Sequence, residues 1–177
     1  SCPSFACPIS PPPNDLCADC IRVETGVEYH GRTRAATGTD ITIGCVSNDR
    51  FDVWNCWTAD CTGRVSITTC GSSFDTSLAV YDQCDGTQLA CNDDGCPPFQ
   101  SKVTLDVTEG TTYTIRVAGF NSTVGNYTLM VEDCKNACCN PNGVCGPATA
   151  SACGAVLGTS PGPGSFCGVC SGGPNNG

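Results

Sequence analysis

Five aspartates fall within the segment 74–96 and could do chemistry together: Asp75, Asp82, Asp85, Asp93 and Asp94. Carboxylates on neighbouring loops suit Ca²⁺, which takes roughly six to eight oxygen ligands. The EF-hand spacing is absent, so a calcium site would depend on loops that the fold brings together. The alternative is structural, because aspartates accept hydrogen bonds from turn amides. The turn interpretation is preferred and no cofactor is expected; calcium is the alternative, and its predicted ligands are then Asp75, Asp82, Asp93 and Asp94.

Cysteine is the most abundant chemical group, with 18 in 177 residues. This density is typical of secreted, disulfide-stapled chains, because cytosolic thiols are kept reduced. Cys84 and Cys91 flank the turn signal Asp85-Gly86-Thr87, so we predict a bridge across this hairpin. Cys56 with Cys61 is a second local prediction. The remaining connectivity is not readable from sequence.

Two C-x-x-C elements occur, Cys17–Cys20 and Cys167–Cys170. Four thiolates could hold zinc, and a single pair could do redox chemistry at a helix N-terminus. The pairs are far apart, and Cys167 lies in a Gly/Pro-rich stretch, so structural disulfides are the preferred interpretation. The predicted disulfide residues therefore include Cys2, Cys7, Cys167 and Cys170.

A catalytic set is not visible. His30 is the only histidine, and no G-x-S-x-G motif accompanies it, so Ser/His and Cys/His schemes have no foundation. A carboxylate pair for glycoside hydrolysis is not excluded by count alone, but the acids lie in turn motifs. We expect a protein that is not an enzyme, with His30 as a surface residue.

The net charge of −9 argues against binding nucleic acid or an anionic membrane through a basic surface. No apolar run approaches the ~20 residues of a membrane span. The sequence starts at Ser1 without Met, which we interpret as a processed, secreted, extracellular protein.

Three regions are predicted. Residues 1–13 form a Cys/Pro arm, 14–134 a β domain, and 135–177 an irregular Cys/Gly/Pro-rich tail. Period-2 alternation, as in Val65, Ile67 and Thr69, indicates antiparallel strands with one buried face. We predict an all-β, two-sheet, jelly-roll-like sandwich with a disulfide-stapled arm. Its strands are expected at 40–45, 52–58, 63–70, 77–81, 88–91, 102–107, 112–118 and 126–131.

An ordered series of motifs runs through residues 14–131. It includes Asp52-Val53-Trp54, Asp60-Cys61-Thr62-Gly63, Ser73-Phe74-Asp75-Thr76, Cys91-Asn92-Asp93-Asp94 and Tyr113-Thr114-Ile115-Arg116-Val117. This series resembles the bacterial pre-peptidase C-terminal (PPC) type of β-sandwich domain, in its cysteine-bearing form. The resemblance implies a non-catalytic accessory module of exported proteins, some of which resemble collagen- or glycan-binding modules.

Aromatic residues and sequons mark further candidate sites. Trp54 and Trp57 differ by an odd number of positions, so in a strand they face opposite sides and one is expected in the core. Trp57 and Phe120 are the candidates for stacking on a sugar. Asn121 and Asn126 begin N-glycosylation sequons.

Two functions remain open. The leading hypothesis is an extracellular structural subunit that assembles with copies of itself into a filament or surface layer. Phe5, Cys7 and Ile9 of the arm would add as a strand to a neighbour's sheet edge. The alternative is a secreted module that binds glycans or matrix.

Overall fold

The computed structural model describes residues 10–38, 45 and 48–134, together with the backbone of two further strands at 135–139 and 145–149. The described chain folds as two β-sheets packed face to face, with two three-residue 3-10 turns at Cys17–Asp19 and Phe120–Ser122. The predicted all-β sandwich is confirmed. No helix in the described residues has the length and apolar character needed to cross a membrane.

The first sheet has five strands in the order β1-β3-β8-β5-β6. They are β1 (Ile21–Arg22), β3 (Arg50–Thr58), β5 (Thr76–Tyr81), β6 (Gln88–Asn92) and β8 (Thr112–Gly119). β1 runs parallel to β3, and the other pairs are antiparallel. A register shift between Arg50 and Val53 interrupts the pairing of β3 with β8.

The second sheet has six strands. They are β2 (Tyr29–Arg32), β4 (Gly63–Thr68), β7 (Lys102–Val107), β9 (Asn126–Val131), β10 (Lys135–Cys139) and β11 (Cys145–Thr149). β4 pairs with β7 along its length, and on its other side with β9 and then β10. β2 pairs with β9 and is the last strand at that end of the sheet's path, so it forms an edge.

The alternating residues of both sheets meet in one apolar core. Trp57, Leu78, Ile115, Ile67 and Leu129 are each at most 1% exposed. Fully burying a side chain of this size contributes about 1.5–3 kcal/mol by the hydrophobic effect. The clean alternation of the motifs therefore placed the core residues correctly.

A second cluster covers the outer face of the five-stranded sheet. Trp54 and Tyr81 pack there with their ring centroids 5.7 Å apart, together with Cys17 and Ala79. Burial raises the pKa of Tyr81 to about 12. Because this sheet is buried on both faces, β5 has no exposed residue. A single-core sandwich would have left that face wet.

Five disulfides link the ten cysteines between residues 17 and 134. The pairs are Cys17–Cys84, Cys20–Cys56, Cys45–Cys91, Cys61–Cys134 and Cys70–Cys96. Both predicted local bridges, Cys84–Cys91 and Cys56–Cys61, are wrong. The sequence argument considered only nearness along the chain. Folding brings cysteines 26 to 73 residues apart into range instead. Three of the bridges, Cys17–Cys84, Cys20–Cys56 and Cys45–Cys91, lie at the second cluster on the outer face of the five-stranded sheet.

The strand predictions hold for seven segments from β3 to β9, within about two residues at each end. Two strands near the N-terminus, β1 and β2, were missed because they are short and polar. The tail predicted as irregular starts instead with a hairpin, in which β10 pairs with both β11 and β4. The predicted strand at 40–45 lies almost wholly outside the described residues.

Candidate functional site

An open groove of about 610 Å³ lies beside the edge strand β2. It is bounded by the strand itself, by the start of β9, by the loop after β4 and by the end of the N-terminal arm. Its lining residues are Pro12, Pro13, Asn14, Tyr29, His30, Gly31, Arg32, Gly71, Ser73, Asn126, Tyr127 and Thr128. Its volume lies within the ~300–1,000 Å³ range of small-molecule sites.

The pairing of β2 with β9 positions the groove's polar side chains. His30 lies opposite Thr128, and Arg32 lies opposite Asn126. His30 Nδ1 is 3.2 Å from Thr128 Oγ1, a hydrogen bond whose direction depends on the His tautomer. Because side chains alternate along a strand, His30 and Arg32 share the face turned away from the core. These two side chains of β2 therefore lie next to each other along the groove.

The core-facing side of the β2–β9 pair carries the groove's aromatic residues, Tyr29 on β2 and Tyr127 on β9. Tyr29 and Tyr127 have ring centroids 6.0 Å apart. Gly31 lies directly opposite Tyr127, and a Cβ at Gly31 would overlap that ring. The glycine thus allows the Tyr127 ring to lie against the backbone of the edge strand. Burial raises the pKa of both tyrosines, so both stay neutral at physiological pH.

A buried chain of hydrogen bonds holds one wall in place. Asn14 Nδ2 donates to the Tyr127 hydroxyl at 3.3 Å, and this hydroxyl is 3.3 Å from Asn55 Oδ1, to which it donates. Asn14 also donates to the Trp54 carbonyl at 2.8 Å. All three polar side chains are at most 3% exposed. The segment before β1 is therefore anchored to both sheets.

The end of the arm forms the second wall. Pro12 is buried, Pro13 is exposed, and the Ser10 carbonyl accepts a hydrogen bond from the Arg32 guanidinium at 3.3 Å. The predicted proline spacer thus docks on its own domain in this part of the chain. The remaining arm residues, including the assembly candidates Phe5, Cys7 and Ile9, lie outside the described residues.

The loop after β4 forms the third wall. Ser73 Oγ donates to the Asn126 carbonyl and accepts from the Asn126 amide, both at 3.0 Å. These bonds leave the exposed Asn126 side chain at the mouth of the groove. The groove therefore combines fixed backbone with side chains that can donate and accept hydrogen bonds.

A family model described as Galactose binding domain-like, of a T9SS-associated type, matches residues 13–131. The chain belongs to this family. Together with the two-sheet architecture, the match confirms the PPC-like sandwich predicted from the motifs. No curated protein matches the chain.

Among solved structures, the chain is similar to the pre-peptidase C-terminal domain of a collagenase from Bacillus anthracis. The identity is 10%, the TM-score is 0.42, and the match covers 63% of this chain and 93% of that one.

The predicted calcium residues are only partly brought together. Burial and the charge of Asp94 raise the pKa of Asp75, while burial and the charges of Asp75 and Asp94 raise that of Asp93. Asp82 is not among the charges that shift either pKa, and its carboxylate accepts a hydrogen bond from the Thr87 amide at 2.7 Å, as a turn residue does. No group of three or more His, Cys, Asp or Glu among the described residues is arranged to hold a metal ion.

The turn interpretation of Asp75 and Asp93 also needs correction. Their Oδ1 atoms are buried and have no hydrogen-bond partner in the described part of the chain. Their backbone carbonyls are hydrogen-bonded instead. The Asp75 carbonyl accepts from the Phe120 amide and the Thr123 hydroxyl, and the Asp93 carbonyl accepts from the Ser101 hydroxyl. The folded state therefore disfavours the charged form of both carboxyl groups.

The aromatic candidates for sugar binding are not in the groove. Trp57 is 1% exposed in the main core and donates its indole N–H to Thr25 Oγ1, so the prediction of a binding Trp57 is wrong. Trp54 faces the opposite side, as its spacing predicted, but the second cluster buries it too. Phe120 is partly buried in a 3-10 turn, outside the groove lining.

The sequon residues Asn121 and Asn126 are both exposed, and glycosylation stays a prediction. Asn126 lies in the groove, and Asn121 lies in the turn after β8. The predicted disulfide residues Cys2, Cys7, Cys167 and Cys170 lie outside the described residues. Strand β2, which lines the groove, was not predicted because Tyr29-His30-Gly31-Arg32 has no apolar alternation. The only local signal for it is the aromatic Tyr29 close to Gly31.

Proposed function

We propose that this chain is a secreted, non-catalytic module that binds carbohydrate in the groove beside β2. The observation that carries the proposal is the groove's lining: polar side chains beside the rings of the partly buried Tyr29 and the exposed Pro13. Sugars present hydroxyl groups around their rims and C–H groups on their faces. Hydrogen-bonding side chains next to ring surfaces match both parts.

The family supports this reading, since it is described as Galactose binding domain-like. The five disulfides suit an oxidising, extracellular setting. The hydrogen bonds of Asn14 and Ser73 hold two walls of the groove in place. Little ordering cost should then accompany binding, because the site is already formed.

The glycan-binding alternative is thus preferred over self-assembly into filaments. The assembly hypothesis depended on Phe5, Cys7 and Ile9 of the arm, which lie outside the described residues. The described end of the arm, Ser10–Pro13, contacts its own domain through Arg32 and the groove wall.

An array of immobilised saccharides, neutral and acidic, tests the proposal, and calorimetry then measures the dissociation constant of each ligand found. The double variant His30→Ala/Asn126→Ala should weaken binding about tenfold. Each lost hydrogen bond is worth ~0.5–1.5 kcal/mol. Gln83→Ala removes an exposed amide in the turn before β6 and is the matched control, which should bind normally.

Two results would contradict the proposal. One is an array on which no saccharide binds above background. The other is a saccharide whose affinity is the same for the wild type and the double variant, because the binding site would then lie elsewhere.

A further inference from the structure

The groove beside β2 differs in charge from the rest of the molecule. The chain has 17 Asp and Glu residues against 8 Lys and Arg, yet no carboxylate lines the groove. Its ionisable lining consists of Arg32, His30 and two neutral tyrosines. The lining of this groove, in an acidic protein, therefore holds no acidic side chain and one permanent cation, Arg32.

We propose that the groove selects an anionic saccharide, one bearing a carboxylate or sulfate group, and that Arg32 is the specificity-determining residue. This inference rests on the proposed carbohydrate function and adds the class of sugar to it.

The guanidinium of Arg32 is available for such a group. It is partly buried, and in the described part of the chain its one hydrogen bond is to the Ser10 carbonyl at 3.3 Å. That bond uses one of five N–H donors. The remaining donors form the planar fork that binds carboxylate or sulfate through two parallel hydrogen bonds.

Other cations of the chain are differently placed. Arg116 is buried between Asp49 and Asp52, and Lys102 is paired with Glu132 at 2.7 Å. His30 already has an acidic neighbour, since its Nε2 lies 3.6 Å from Glu28 Oε2. Arg32 is therefore the groove's source of uncompensated positive charge.

The net charge of −9 does not prevent anion binding in this groove. At physiological ionic strength, exposed charges farther apart than about 8 Å are largely screened. The groove's lining and its immediate neighbours then dominate the field on a bound sugar; the lining carries no negative side chain, and the neighbouring Glu28 carboxylate lies against His30.

The test measures dissociation constants for three probes of equal length: a neutral galacto-oligosaccharide, its sulfated form and an oligogalacturonate. The wild type should bind at least one anionic probe about tenfold more tightly than the neutral one. Comparing the sulfated probe with the uronate shows which anion fits. Arg32→Gln should bind the neutral probe nearly unchanged and lose the preference.

Arg22→Gln is the matched control, because Arg22 is an exposed arginine on strand β1 of the other sheet, outside the groove lining. It should keep the anion preference. Unchanged melting temperatures would show that both variants are folded.

Each failure has its own meaning. Equal affinity of the wild type for neutral and anionic probes overturns the charge selection and leaves carbohydrate binding standing. A preference that survives in Arg32→Gln overturns the assignment to Arg32. Absence of binding to any saccharide on the array and to all three probes removes the proposed function itself, and this inference with it.

Discussion

Replacing Arg116 by methionine should be among the most damaging single changes to the described domain. The Arg116 Nε donates to Asp52 Oδ2 at 2.8 Å, and Nη1 donates to Asp49 Oδ2 at 3.0 Å. A third N–H reaches the Asp49 carbonyl at 2.8 Å. All three side chains are at most 4% exposed. Burial by itself lowers the pKa of Arg116, because it disfavours the charged form. The Asp52 and Asp49 carboxylates outweigh this effect, so the pKa is raised.

The expected loss follows from the two carboxylates that the variant leaves behind. Removing one partner of a buried ion pair costs about 3–5 kcal/mol, because the remaining charge stays desolvated and has lost its counter-charge. For a domain of this size that corresponds to a fall in melting temperature of roughly 10–20 °C. Asp49 keeps hydrogen bonds from Ser77 and from the Cys45 amide, which compensate only part of its charge.

Calorimetry and urea titration with the disulfides intact would measure the loss. Arg64→Met is the matched control, because Arg64 is an exposed strand residue on β4; it should change stability by less than about 0.5 kcal/mol. The triple variant Arg116→Met/Asp49→Asn/Asp52→Asn should recover part of the loss, since it removes the stranded charges.

The reasoning fails if Arg116→Met loses less than about 1 kcal/mol, because the network would then not be desolvated as its burial implies. It also fails if the triple variant is less stable than the single one, since stranded charge would then not be the cause.

Three further predictions concern one bridge and the acidic cluster. Cys61→Ala/Cys134→Ala opens a loop of 73 residues, so urea titration should show a loss of about 4 kcal/mol; a loss below about 1 kcal/mol would argue against this bridge. Asp93 has a raised pKa, so its charged form destabilises the fold above the unfolded-state pKa. With a chelator present, Asp93→Asn should therefore have a higher melting temperature than the wild type at pH 7. The difference should vanish near pH 4, about the pKa of an unfolded aspartate. Calcium binding by Asp75 and Asp93 predicts that added calcium chloride raises the melting temperature of the wild type and not of the variant; equal responses would exclude their role.

Much of the fold was predictable because alternation reports burial directly. Val65, Ile67 and Val103 sit in the core where their period-2 pattern placed them. The parity of Trp54 and Trp57 predicted opposite faces, and this was confirmed. The same pattern could not show that a second cluster covers the outer face, because the covering residues come from distant parts of the chain.

The groove was much less predictable. His30 and Arg32 lie in a polar stretch whose strand forms only because β9 offers a pairing partner about 98 residues away. The proline segment was predictable as a stiff spacer. Its docking beside Arg32 depends on the hydrogen bonds from Asn14 to Tyr127 and to the Trp54 carbonyl. Neither contact leaves a local signal.

The sequence by itself determined a cysteine-rich β-sandwich, because cysteine number, turn residues and alternation are local properties. Only the tertiary structure decided which cysteines pair, which tryptophans are hidden and where a ligand could lie. The physical reason is that these depend on contacts between residues far apart in the chain. Nearness in sequence suggested Cys84–Cys91, whereas the packed sheets joined Cys84 to Cys17, 67 residues away.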